Sequence, residues 1–263
     1  MGVALAACSG ISPPSPPILR VELVQQRGDI AAGRIQLRVT NASPSRATIT
    51  AAFLASPVLA GPADWSAARP VVLEAGRTTD LPVLLPDPRC TAGSGAAYAH
   101  LTVDGDATTA AVTDALDVLG RAGALACDED DLLSVVQVTA SQAVAGTNGA
   151  ISLRLNVDPA PHGEGSVELV ALRGTVLLRF DTGAEAPLGV TVAAGDPSTT
   201  IDVTLVPQRC DAHAIAEDKV GTLFDLVARV DGREIVVPLK RPDALGDTLL
   251  TLTAQACGLI PSD

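Results

Sequence analysis

At 263 residues and 26.6 kDa the chain is too long for one ordinary sandwich domain and comfortable for two. Its 47% hydrophobic and 18% charged content supplies material for cores and excludes global disorder, and a net charge of −12 with pI near 4.6 excludes a nucleic-acid partner, whose phosphates repel such a surface. Aromatic residues are only 2% (Phe53, Trp65, Tyr98, Phe180 and Phe224), poor material for stacking platforms, which argues against a carbohydrate ligand.

The first ten residues read Met-Gly-Val-Ala-Leu-Ala-Ala-Cys-Ser-Gly, with small Ala6 and Ala7 directly before Cys8. Leu5-Ala6-Ala7-Cys8 resembles the lipobox of bacterial lipoproteins, in which the cysteine is acylated before the signal peptidase cuts in front of it. That resemblance implies lipidation at Cys8, a membrane partner through a lipid anchor, and a location on the extracytoplasmic face of the cell membrane. The start departs from the pattern in one respect: only seven residues precede Cys8 and none is Lys or Arg, where a secretory signal carries a charged start and a longer apolar run. Residues 9–17 follow with prolines at 13, 14, 16 and 17, a polyproline-type spacer able to hold a folded domain clear of a surface. Residues 1–17 are therefore read as signal remnant and spacer. No stretch approaches 18 consecutive apolar residues.

Beyond the spacer, period-two runs predict strands at 19–25, 34–41, 46–54, 78–85 and 97–103, then at 134–141, 150–157, 165–172, 199–206, 222–230 and 234–239. Asp104-Gly105, Asn148-Gly149 and Asp231-Gly232 punctuate them as turn signals. Two short helices are expected, at 114–126 and 212–218. The only tryptophan, Trp65, falls in a loop-like Gly-Pro-Ala-Asp-Trp-Ser stretch. The halves repeat: Pro-Asp-Pro-Arg89-Cys90 matches Pro-Gln-Arg209-Cys210, and each is followed by a strand ending in Asp-Gly. A second cysteine closes each half, Cys127 lying 37 residues after Cys90 and Cys257 lying 47 after Cys210. The repeat predicts one disulfide per half, each contributing about 4 kcal/mol on the chain-entropy model and requiring an oxidising compartment. About seven strands per half resembles immunoglobulin-like or fibronectin-like folds, without the antibody arrangement of cysteines about a buried Trp. The expectation is an all-β chain of two tandem sandwich domains, 18–127 and 132–263, joined by the acidic run Asp128-Glu129-Asp130-Asp131. Cadherin-like tandem sandwiches hold calcium with linker carboxylates, but the spacing here differs from theirs, and the run reads as a solvated joint.

The chemistry-bearing signals are few. No Gly-x-Ser-x-Gly, His-Glu-x-x-His, Cys-x-x-Cys or phosphate-loop pattern occurs, and no cofactor is implied. Of three histidines, His100 sits inside a strand and His162 in a turn. His213 stands in Arg209-Cys210-Asp211-Ala-His213-Ala-Ile-Ala-Glu217, where a helix would put His213 and Glu217 on one face. Asp211, His213 and Glu217 form a candidate metal site; the structural alternative, with Asp211 as helix cap, weighs more because metal sites need three or more ligands. Asn41-Ala-Ser43 matches a glycosylation acceptor but precedes Pro44 in a bacterial-looking chain and is set aside. The sequence thus favours a non-catalytic, membrane-tethered envelope lipoprotein that binds an unidentified protein or peptide or acts as a spacer. The alternative is a metal-binding or metal-assisted enzyme built on His213, and a carrier of a small ligand is a third reading.

Overall fold

Period-two burial builds the strands from the first one onward. In β1 (Leu19–Val24), Val21 and Leu23 are buried while Arg20 and Glu22 face solvent. The computed structural model describes residues 18–26, 28–29, 32–65, 69–90, 95–217 and 221–261, without the side chains of 216 and 217. Cys8 and the proline-rich spacer lie outside the described residues. Two compact units divide between Gly123 and Ala124.

The first unit contains β1, β2 (Arg34–Asn41), β3 (Ala47–Ala55), β4 (Ala63–Trp65), β5 (Val71–Leu73), β6 (Thr78–Leu84), β7 (Tyr98–Val103) and β8 (Asp106–Thr113). Their order is β4-β6-β2-β1-β8-β7-β3-β5, and β4 also pairs with β3, so seven strands close into a ring with β5 beside β4 on the same edge of β3. Every pairing is antiparallel except β1–β8, which meets in parallel at Val21–Val112 and Glu22–Thr113. The ring encloses Ile35, Leu37, Val39, Ile49, Leu54, Leu81 and Val83. Trp65, expected in a loop, is instead a buried residue of β4, opposite Ala52 on β3 and Val83 on β6, where the ring closes. A three-residue strand next to Gly61-Pro62 shows too little alternation to be seen in sequence.

The second unit holds β9 (Val136–Ala145), β10 (Ile151–Pro159), β11 (Ser166–Arg173), β12 (Leu178–Phe180), β13 (Glu185–Ala193), β14 (Thr199–Pro207), β15 (Asp225–Val230) and β16 (Arg233–Pro238). They form two four-stranded sheets, β12-β14-β10-β9 and β13-β11-β15-β16, sharing one core around Leu153, Leu155, Leu169, Phe180, Phe224 and Leu226. The described residues also include the helices α1 (Val118–Leu133), α2 (Ala212–Glu217) and α3 (Asp243–Ala256). Asp114 caps α1, its Oδ1 accepting the Val118 N–H at 2.7 Å and its Oδ2 the Leu119 N–H at 3.0 Å. Among the described residues no helix is long and apolar enough to cross a membrane.

The repeat seen in sequence recurs in three dimensions. Asp104-Gly105 and Asp231-Gly232 both adopt positive φ (52° and 95°, then 49° and 80°), the two-residue turn that suits the twist of a hairpin. Arg38 opposes Asp80 across β2–β6 and Arg154 opposes Asp202 across β10–β14, each as a bidentate pair at 2.8 and 2.9 Å. Both Arg residues follow an Ile-x-Leu whose apolar side chains point into the core. The parallel contact between first and last strands recurs as well, at Thr139–Lys240. Cys210 and Cys257 form a disulfide with Cα atoms 5.4 Å apart, tying the segment after β14 to the end of α3. Cys90 and Cys127 are also disulfide-bonded.

Two expectations need correction. The first helix starts later than residue 114 and runs on to Leu133, so the acidic run lies inside α1 and is not a solvated joint. Asp128 and Asp131 both bind the Arg233 guanidinium, and Glu129 binds the Lys240 ammonium at 2.8 Å. Consecutive carboxylates suggest a wet linker only when their cations, over a hundred residues later, are not yet in view. The helix α3 carries no strong sequence signature and was not expected; Leu245, Leu249 and Ala254 give it a buried stripe.

Candidate functional site

The segment proposed from sequence as a metal site is built as a helix start. Asp211 Oδ1 accepts the His213 N–H at 2.9 Å and the Ala214 N–H at 3.1 Å, and Arg209 Nη2 donates to Oδ2 at 3.3 Å. The Ala214 N–H, followed by the Arg209 guanidinium, holds the Asp211 carboxyl below the usual carboxylate range. Oδ1 thus caps the start of α2, and Oδ2 faces the Arg209 guanidinium. The His213 side chain is exposed, and that of Glu217 lies outside the described residues. Among the described residues no group of three His, Cys, Asp or Glu side chains converges as metal ligands would. His162 is exposed in its turn, away from any such group.

A different cluster stands out on the first unit. β3, β7 and β8 lie side by side, and odd-even alternation sends Phe53, His100 and Thr109 to the outer face of the same cross-strand row. Phe53 and His100 stack, with ring centroids 4.5 Å apart and planes 16° from parallel. Thr109 Oγ1 and His100 Nδ1 are 3.1 Å apart, which fixes the ring's orientation. Tyr98, two residues along β7 and 45% exposed, extends this surface; Phe53 is 37% exposed. The other three aromatic residues, Trp65, Phe180 and Phe224, are buried. The few aromatic groups that reach solvent therefore gather on one sheet face.

The corresponding face of the second unit has a different character. Matching the two Asp-Gly hairpins sets β15–β16 against β7–β8. There Arg229 pairs with Glu168 and faces Glu234, and Arg173 Nε binds Glu185 Oε1 at 2.9 Å. That sheet satisfies its own charges and presents no aromatic ring. The sequence placed His100 on a strand face but left Phe53 and Tyr98 unremarked; parity along β3 and β7, where Ala52, Leu54, Ala99 and Leu101 are the inward residues, was the available signal.

No family model matches the chain, and no curated protein matches its sequence. Among solved structures it is similar to CBD12 from CALX1.2, at TM-score 0.26 and 10% identity over 82% of this chain and 83% of that one. It is similar to the CsuC–CsuE chaperone–tip adhesion subunit complex of Acinetobacter baumannii Csu pili, at TM-score 0.22 and 8% identity over 87% of this chain and 100% of that one. The YadV chaperone aligns at TM-score 0.23 and 12% identity over 85% of this chain and 99% of that one. Scores of this size carry no functional argument, and the site is read from the chain's own geometry.

Proposed function

We propose that the chain is a non-catalytic lipoprotein of a bacterial cell envelope, tethered through Cys8, whose two immunoglobulin-like sandwich domains form a binding module for a protein or peptide. The docking surface is the outer face of β3–β7–β8 on the first unit. The observation that carries this reading is the Phe53–His100 stack flanked by Tyr98, exposed in a chain with so few aromatic residues. Solvent-facing rings are costly to leave uncovered and are the side chains that dominate protein interfaces. The connectivity favours the immunoglobulin-like assignment, because the second and sixth strands pair, the third and seventh pair, and the first runs parallel to the last. The Asp211 carboxylate serves as the cap of α2, the structural role weighed against a metal site there.

Two measurements test the reading. Replacing Cys8→Ser should move the chain from the membrane fraction to the soluble one, and unchanged membrane association removes the tether. Peptides selected from a random display library on the intact chain should bind a Phe53→Ser/Tyr98→Ser variant at least tenfold more weakly; equal binding removes the face.

A further inference from the structure

Ladder geometry leaves one edge of β8, over Asp106–Ala111, without a partner among the described residues. The Asp104-Gly105 turn joins β7 to β8 in two residues, so Val103 and Asp106 form a hydrogen-bonded pair and every second pair after them does the same. The Val112 N–H on the Ala97 carbonyl, at 3.0 Å, keeps that phase. The N–H and C=O groups of Ala107 and Thr109 consequently point away from β7. β1 meets β8 only at Val112 and Thr113, and among the described residues no strand pairs with Asp106–Ala111 on the edge away from β7. Where β1 diverges, a cleft of about 450 Å³ opens between Leu19–Val21 on one side and Thr108–Ala111 on the other. Leu19 and Ala110 are half-buried in it, against the core.

The second unit has the same seam in a closed form. The hairpin alignment puts Glu234 where Ala107 stands, Pro238 where Ala111 stands and Lys240 where Thr113 stands. Pro238 offers no N–H, and Glu234 and Lys240 stand further along the edge on either side of it, the features that keep foreign strands off a sheet edge. Leu132 and Leu133 of α1 lie over the seam, Arg233 and Lys240 are held by α1 carboxylates, and the space left is only about 20 Å³. β8 contains no proline, and Asp106 is its single charged residue.

We propose that the free edge of β8 takes an extended peptide strand of a protein partner by strand addition. Alternate apolar side chains of that peptide sit in the cleft against Leu19 and Ala110, and a basic residue lies at the end nearer Asp104 and Asp106. An extended backbone matches donors and acceptors repeating every ~7 Å along one edge, which side chains of a folded surface do not. Residues 11–17 of this chain, with prolines at 13, 14, 16 and 17, keep a main-chain N–H only at Ile11, Ser12 and Ser15 and make a poor ladder strand. The inference rests on the reading of the chain as a binding module and names the class of ligand: the added strand would lie next to Thr109 and His100, continuous with the aromatic face.

The test uses the full chain and peptides selected on it from a random display library. Expected are alternating apolar sequences, slowed deuterium exchange over residues 106–111 on binding, and at least tenfold weaker binding both to Thr109→Pro and after N-methylation of the peptide's central amides. The N-methylated peptide leaves the protein untouched, so a misfolded Thr109→Pro chain does not decide the outcome. Binding indifferent to N-methylation overturns the edge; if it still falls with Phe53→Ser/Tyr98→Ser, the binding module stands without it. Slow exchange over 106–111 in the free chain, released by removing residues 1–17, overturns the proposal in favour of the chain's own N-terminal segment. Failure to enrich any peptide overturns both the edge and the module.

Discussion

The two units share a plan and differ in how they end. Residues 124–263 carry twenty carboxylates against nine Arg and Lys, and their strand edge and outer sheet face are occupied by ion pairs, a proline and a helix. Residues 1–123 carry ten carboxylates against nine cations, and the equivalent edge and face hold threonines, alanines, a histidine and two exposed rings. The second unit closes its outer surfaces with its own residues. In the first unit the equivalent surfaces carry no such ion pairs, proline or helix among the described residues. Inward positions of the strands are nonetheless alike: Ile35 and Leu37 in β2 correspond to Ile151 and Leu153 in β10.

The sharpest way to break the comparison is to remove what is held in common. A Cys210→Ser/Cys257→Ser chain should lose about 4 kcal/mol in the second unit, because the bridge closes a loop of 47 residues. Trp65, the sole tryptophan, reports the first unit, and its fluorescence midpoint in urea should stay while the circular-dichroism transition splits. A joint shift of both signals would mean that the units unfold together.

Next in size are the matched core leucines. Leu37→Ala and Leu153→Ala, both fully buried, should each cost about 3 kcal/mol. The first should move the Trp65 transition and the second should not. A large imbalance between the two costs would show that the closed ring and the paired sheets pack differently despite the repeat.

The smallest effect is electrostatic. The hydrogen bond from Arg154 holds the Asp202 carboxyl below its ordinary value of 3.8. A carboxyl depressed in the folded state stabilises above its unfolded pKa, and that contribution is lost as pH falls through the folded value. Between about pH 4 and 2, the melting temperature of Asp202→Asn should therefore fall less steeply than that of the wild type. Identical slopes would mean that this exposed pair contributes nothing.

Much of this was legible before folding. The strands with long alternating runs, the two Asp-Gly turns and the repeated Arg-Cys segments are local signals, and strands β2, β3, β6 and β7 lie within a residue or two of their expected bounds. What stayed hidden is mostly short, irregular or distant, and β8 (Asp106–Thr113), whose one large apolar residue is Val112, was missed as well. β4 and β5 have three residues each, too few for a period. β13 carries Pro187 and Gly189, which break the pattern. The acidic run looked like a linker because its cations, Arg233 and Lys240, come more than a hundred residues later.

The sequence by itself determined which residues face inward, where the chain turns and that the chain is doubled, since periodicity and turn chemistry act over a few residues. Only tertiary structure decided that Phe53 meets His100, that Trp65 closes a ring, and that β16 is covered while Asp106–Ala111 of β8 is bare among the described residues. Those outcomes depend on which strands become neighbours and on what lies over their edges, which no local pattern specifies.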